Sequence, residues 1–279
     1  MFFTKMHGLG NDFILVNREE ENNLPRDLTE LAIRICDRHL GVGADGLVLI
    51  GLGTGADLTM QIINSDGSEA EMCGNAIRCL AKYAYEQGLV QKTQMTVATR
   101  AGVIIPQLLL TEEGIVRRVR VDMGEPVLER QLIPMEGSAG KVLNELLEVE
   151  GTPFKINAVS MGNPHCVIFV PDLAQLSLEY WGSRIGTHPS FPFQTNVEFI
   201  QVLNRQTLQM AVWERGAGIT LACGTGACAA VVAAVLNDYT DSSVEVKLAK
   251  GSLEIEWSQN NHIYMTGSAQ QVFTGEIGL

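Results

Sequence analysis

Two stretches of the chain place a cysteine and a glycine at the head of a helix-forming run. One is Cys73-Gly74-Asn75-Ala76-Ile77-Arg78-Cys79, continuing into LAKYAYEQG; the other is Cys223-Gly224-Thr225-Gly226-Ala227-Cys228, continuing into AAVVAAVLND. Each thiol is thereby expected at a helix N-terminus, where backbone N–H groups without intrahelical partners and the positive end of the helix dipole favour an anion, a thiolate included. The two cysteines stand 150 residues apart (223 minus 73), and the same spacing recurs along the chain. It lays MQIINSDG (60–67) on MAVWERGA (210–217), so that Asn64 meets Glu214, and it lays Gly46 on Asn196 before the apolar runs LVLI and VEFI. Gly102 and Gly251 match one residue short of it. GLGNDFILV resembles MGNPHCVIFV two residues beyond it, with Asn11 on Asn163. The chain reads as two similar halves.

A chain of 279 residues, 46% of them hydrophobic, has material for two medium domains with proper cores. The net charge of −12 argues against a nucleic-acid surface. No apolar run is long enough for a membrane span, and MFFTKMHGLG lacks the charged-then-apolar pattern of a secretion signal. A cytoplasmic protein is expected, without nucleic-acid or membrane partners. In that compartment the six cysteines stay reduced. With no C-x-x-C and no histidine at zinc spacing, no metal site is expected. Cys36, Cys79 and Cys228 read as small buried hydrophobes within helices.

The segment NNLPRDLTELAIRICDRHLG reads as a helix with Leu28, Leu31, Ala32 and Ile35 on one face and Gly41 at its end. GVGADG (41–46) matches the G-x-G-x-x-G pattern, but a helix precedes it and a strand follows, the reverse of what dinucleotide binding needs. QMTVATRAGVIIPQLLL and GIVRRVRVDMG alternate as strands. From Thr225 to Leu236 the second organising helix carries almost no polar residue, so it must be buried on all sides. The first has a wetter side at Lys82 and Glu86. The expected class is α+β: two similar halves, each a strongly bent mixed or antiparallel sheet wrapped around a central helix. VDMGEPVLERQ (121–131) resembles MTGSAQQVFTGEI (265–277), each directly after the last strand of a half. The C-terminal tail is therefore assigned to the first domain, giving 1–122 plus 268–279 and 123–267.

Two thiols on opposite sides of one carbon could invert it: one thiolate removes a proton and the other thiol supplies one. A cysteine suits both tasks because its ordinary pKa of ~8.5 can be lowered at a helix N-terminus. The backbone N–H groups at Gly74-Asn75 and Gly224-Thr225 could hold the carboxylate that gains charge when an α-proton leaves. No lysine motif suggests a pyridoxal Schiff base, and no cofactor is expected.

HGLGNDF (7–13), NSDGSEAEMCGNAIRC (64–79), SMGNPHC (160–166), TNVEF (195–199) and WERGAGITLACGTGAC (213–228) together resemble the diaminopimelate epimerase family over nearly the whole chain. The resemblance implies cofactor-independent interconversion of LL- and meso-diaminopimelate in lysine biosynthesis, with Cys73 and Cys223 as the acid/base pair and His165 and Glu214 supporting them. It implies substrate contacts from Asn11, Asn64, Asn163, Asn196, Glu214 and Arg215, two pseudo-symmetric domains with the active site in the cleft between them, and a homodimer as partner. From the residues alone, the asparagines also fit turns or caps, and His165 a satisfied structural histidine. Two rival readings are a proline or hydroxyproline racemase, which would not need the polar equipment of Asn64, Asn196 and Arg215, and a non-enzymatic thiol or ligand-binding protein, which would not need mirrored helix N-termini.

Overall fold

The computed structural model describes residues 1–20 and 24–278. The chain divides into two compact units, Met1–Asp122 with Thr266–Leu279, and Met123–Met265.

The first unit opens with β1 (Phe2–Gly8) and β2 (Asn11–Asn17), then α1 (Leu28–Cys36), β3 (Gly46–Leu52), β4 (Leu58–Asn64), the short β5 (Glu69–Ala70) and α2 (Gly74–Glu86). It continues through β6 (Val97–Thr99), β7 (Gly102–Ile104), β8 (Gln107–Leu110) and β9 (Val116–Asp122). Its sheet runs β1-β2-β3-β4-β6-β7, with β5 alongside β4 and the C-terminal strand Gln270–Glu276 outside β1. From β1 onward the pairings are antiparallel, parallel, antiparallel, parallel, antiparallel. Phe13–Val16 of β2 and Leu47–Ile50 of β3 are continuous apolar runs because both faces are covered there. Ile14, Val16, Leu47 and Leu49 pack with Leu31, Ala32 and Ile35 of α1, and α2 lies against β1 to β4 and the hairpin β8–β9.

The second unit holds β10 (Glu145–Val149), β11 (Thr152–Ser160), β12 (Pro164–Phe169), α3 (Leu178–Gly186), β13 (Asn196–Asn204), β14 (Thr207–Glu214), the short β15 (Gly218–Ile219) and α4 (Gly224–Leu236). Then come β16 (Ser243–Leu248), β17 (Gly251–Trp257), β18 (Ile263–Gly267), which leads back to the first unit, and β19, the C-terminal strand already met. From β11 the order β11-β12-β13-β14-β16-β17 is again antiparallel, parallel, antiparallel, parallel, antiparallel. The two-residue β15 pairs with β14 as β5 does with β4. One helix follows the second strand of each series and another the fourth. The duplication in the sequence is thus a duplication of topology, and both units are mixed sheets with few helices.

Helix α4 explains its own sequence. Val231, Val232 and the alanines between Ala227 and Ala234 are fully buried, against β11, β12, β13, β16 and β17. Each buried valine contributes about 1.5–3 kcal/mol by leaving water. The wetter side of α2 is closed by the Lys82–Glu86 ion pair at 2.6 Å.

Two elements differ from the sequence expectation. The helix read from Asn22, a residue outside the described ones with Asn23, begins only at Leu28. Asp27 caps it by accepting the Glu30 N–H at 3.0 Å. It stops at Cys36 because the Asp37 carboxylate takes the N–H groups of His39 and Leu40 into a turn, so Gly41 lies beyond its end. The strand read through 94–110 is broken into β6, β7 and β8: Gly102 follows a tight turn at Arg100-Ala101, and Pro106, which has no N–H to donate, separates the last two.

Candidate active site

In the first unit Cys73 is the N-cap of α2, with extended backbone (φ −141°, ψ 120°). Its Sγ lies 3.8 Å from Asn11 Oδ1, an oxygen that also accepts from Asn75 Nδ2 at 2.9 Å. Asn11 Nδ2 in turn donates to Asp45 Oδ2 at 2.7 Å. Asn75 is held from the other side by Arg78, whose guanidinium donates to its Oδ1 at 2.7 Å and to Gly74 O at 2.9 Å. Arg78 is wholly buried, which puts a fixed positive charge beneath the helix terminus that carries the thiol. Asp12, Arg38, Asp45 and Lys5 form an ionic girdle around Asn11. Burial would raise the Asp12 carboxyl, but hydrogen bonds from Arg38 and Lys5 outweigh it and hold it below the usual range. Asn64 ends β4 and donates to Ser68 Oγ at 2.9 Å.

In the second unit Cys223 is the N-cap of α4 and accepts the Gly226 N–H through sulfur at 3.4 Å, with Thr225 Oγ1 at 3.5 Å. Glu214 ends β14, and its carboxylate accepts a short hydrogen bond from Thr220 and interacts with the Cys223 thiol. Burial pushes the Glu214 carboxyl up, against the hydrogen bonds from Thr220 and Cys223. Burial, followed by the nearby Glu214 and Glu198 carboxylates, pushes the Cys223 thiol well above its ordinary value. Before substrate arrives, Cys223 therefore rests as a thiol.

His165 on β12 is fully buried. Its Nδ1 lies 2.7 Å from Glu198 Oε1 and its Nε2 2.9 Å from Asn163 Oδ1. Asn196, opposite His165 in the parallel pairing of β12 and β13, donates to Pro164 O and accepts the Arg215 N–H, both at 2.9 Å. Glu214 and Arg215, adjacent in sequence, would face opposite ways on a continuing strand. Instead β14 ends at Glu214 and Gly216 turns the chain with φ +81°, a conformation that glycine adopts without strain. Arg215 reaches Phe193 O at 3.1 Å.

Within the first unit the structure brings together Asn11, Cys73, Gly74 and Asn75. Within the second it joins Cys223, Glu214 and Thr225 in one group and His165 with Asn163 in a contiguous one. Asn75 and Asn196 are spent on internal hydrogen bonds, so their side chains position backbone. Arg78, Arg38 and Glu198 went unread in the sequence. A charged residue inside an apolar run is the available signal for two of them: Arg78 within AIRCLA and Glu198 within VEFI, on a strand buried from Asn196 to Ile200. Three of the remaining cysteines are held in the thiol form by their surroundings: burial pushes Cys36 and Cys79 up to about 12 and Cys166 well above the ordinary thiol range.

The paired mixed sheets are those of a known class of two-domain proteins. A probable proline racemase from Agrobacterium radiobacter superposes with a TM-score of 0.72 at 15% identity, covering 100% of this chain and 93% of that one. A PhzF-family phenazine biosynthesis protein from Bacillus anthracis gives the same score and identity, covering 100% and 99%. At sequence level the model of the family described as diaminopimelate epimerase matches residues 3–129 and 157–272. The diaminopimelate epimerase of Pelotomaculum thermopropionicum is 62% identical, over 99% of this chain and 98% of its own length. That of Moorella thermoacetica is 55% identical over the full length of both. The chain belongs to the diaminopimelate epimerase family, and it is an isomerase.

Proposed function

We propose that the enzyme interconverts LL- and meso-diaminopimelate in lysine biosynthesis by a two-base mechanism, with Cys73 and Cys223 as the proton carriers. The observation that carries this reading is that each cysteine caps a 13-residue helix in its own copy of the repeated topology. One thiolate removes the α-proton from one side as the opposite thiol delivers a proton to the other, and the return reaction exchanges the roles. The first-turn N–H groups at Gly74-Asn75 and Gly224-Thr225 receive the reacting carboxylate. There they stabilise the negative charge that develops on it, each well-aimed donor being worth roughly 3–4 kcal/mol. Glu214 exchanges its hydrogen bond with Cys223 as the thiol gains or loses its proton, and His165 supports the transfer. Asn11, Asn64, Asn163 and Arg215 line the place of the remaining substrate groups, with Arg215 holding the distal carboxylate and Asn196 holding the Arg215 backbone in place.

No pyridoxal cofactor is assigned, because the helix termini supply the charge stabilisation that such a cofactor would otherwise provide. A cytoplasmic location is assigned with the pathway. Homodimer formation is assigned through the edge strand β19, where Val272 and Phe273 are exposed. Sedimentation analysis tests the dimer. The central experiment follows the α-hydrogen of diaminopimelate in deuterated water with the parent enzyme and with Cys73→Ala and Cys223→Ala. The parent should exchange and epimerise, and neither variant should turn over. Near-parental epimerisation by either variant would end the two-base reading, and exchange with proline in place of diaminopimelate would redirect the substrate.

A further inference from the structure

One strongly polar group in the second unit is absorbed by none of the roles above. Glu198 lies in the middle of the run Val197-Glu198-Phe199-Ile200 on β13, and it is fully buried. Strand β13 is covered on both faces here, so the carboxylate is lodged in the interior. Its Oε1 meets His165 Nδ1 at 2.7 Å, and its Oε2 finds no hydrogen-bond partner among the described residues. Burying a carboxylate with one oxygen unmatched costs stability, and a well-packed apolar side chain would avoid that cost.

A second observation is independent of the histidine. A Cβ placed on Gly226 would fall 2.5 Å from Glu198 Oε1 and 3.2 Å from Cys223 Sγ. The Glu198 carboxylate is therefore pressed against the first turn of α4, beside the thiol that caps it, and the absence of a side chain at Gly226 makes the approach possible. The helix dipole favours an anion at that point. Glu198 thus contacts His165 directly and sits on the far side of the bare Gly226 from Cys223.

We propose that Glu198 is a positioning residue of the epimerisation: its carboxylate fixes the His165 ring with the proton on Nδ1 and, seated against Gly226, sets the geometry of the Cys223 turn. A carboxylate opposite Nδ1 accepts a proton there, so Nδ1 carries one whatever the state of Nε2, and the ring cannot rotate without losing that bond. Nε2 is left facing the Asn163 amide at 2.9 Å, a group that meets an Nε2 proton with its oxygen and a bare Nε2 with its nitrogen when the amide is turned over. Residues that orient a functional imidazole in this way are worth about 10- to 100-fold in activity elsewhere.

The proposal rests on the functional reading above, and its test separates the two. Glu198→Gln is nearly isosteric and keeps a polar group at Nδ1, but an amide can meet either ring tautomer. It should lower kcat about 10- to 100-fold with KM within threefold and an almost unchanged thermal midpoint. Glu198→Asp keeps the charge and should recover part of kcat. Long-range proton–nitrogen spectra of enzyme labelled at histidine nitrogen, with His165 assigned by its loss in His165→Asn, should show Nδ1 protonated in the parent and a mixture of tautomers in Glu198→Gln. An unchanged spectrum together with parental kcat would overturn the proposal. So would a variant whose only defect is a lowered midpoint, which is a structural ion pair and nothing more. The spectra need no substrate. A parent that shows the Nδ1 signature but fails to exchange the α-hydrogen of diaminopimelate would overturn the functional reading and leave the link between Glu198 and His165 standing.

Discussion

The side-chain oxygen of Asn196 receives the backbone N–H of Arg215 at 2.9 Å while its amide nitrogen donates to Pro164 O at the same distance. One buried amide thereby ties the end of β14 to the start of β12, fixing Glu214, Arg215 and His165 relative to one another. Asn196→Ala should leave the buried Pro164 carbonyl unmatched, at about 1–3 kcal/mol, and release the part-buried Arg215 N–H. Urea unfolding should show the loss. If instead stability is parental and only KM rises, the amide serves substrate directly and its structural bonds are dispensable.

Arg215 can grip a second carboxylate, the group that distinguishes diaminopimelate from lysine. Removing the guanidinium strands that carboxylate at a cost of about 2–5 kcal/mol. Arg215→Met should accordingly lower kcat/KM by a factor of roughly 30 to several thousand, and lysine should be a very poor substrate of the parent. An untouched kcat/KM in the variant, or efficient epimerisation of lysine by the parent, would remove the distal clamp.

The two cysteine–glycine helix starts, the buried character of α4 and the class of fold were legible because each leaves a local signal: a cap, an all-apolar helix, an offset that recurs. The supporting charges were not. Arg78 joins its neighbours Gly74 and Asn75 to the distant Ser268, and Glu198 acts through His165 thirty-three residues away. A charge in an apolar run does not say which partner will satisfy it. Asn75 and Asn196 were legible as polar and special, but the sequence could not say that their amides are spent inside the protein. The break of 94–110 into three strands was marked by Gly102 and Pro106, and the alternating pattern around them concealed it.

Gly226 provides a test in which no polar group is removed. Alanine there is well suited to a helix, yet its Cβ would fall 2.5 Å from Glu198 Oε1 and 3.2 Å from Cys223 Sγ. The carboxylate or the thiol must move. Gly226→Ala should lose at least tenfold in kcat, whereas Gly114→Ala, at a turn with open space, should cost only the strain of its φ of +80°. Parental turnover in Gly226→Ala would show that neither group needs its present place.

The Cys223 thiol also makes stability depend on pH in a direction that can be worked out. Burial, reinforced by Glu214 and Glu198, raises its folded-state value well above its ordinary one. In the unfolded chain the same thiol loses its proton near that ordinary value. Above about pH 9, then, the unfolded state binds fewer protons than the folded one, and stability falls as pH rises toward the folded value. Each such thiol steepens the fall by up to about 1.4 kcal/mol per pH unit. Cys166 acts in the same direction, as do Cys36 and Cys79 with values of about 12, and the comparison must therefore be a difference. Urea unfolding of the parent and of Cys223→Ala, run with reductant between pH 8 and 10.5, should give a shallower alkaline slope for the variant by up to that one-proton amount. Parallel slopes would mean that the folded enzyme releases the Cys223 proton as readily as the unfolded chain does, and that Cys223 does not rest as a thiol above pH 9.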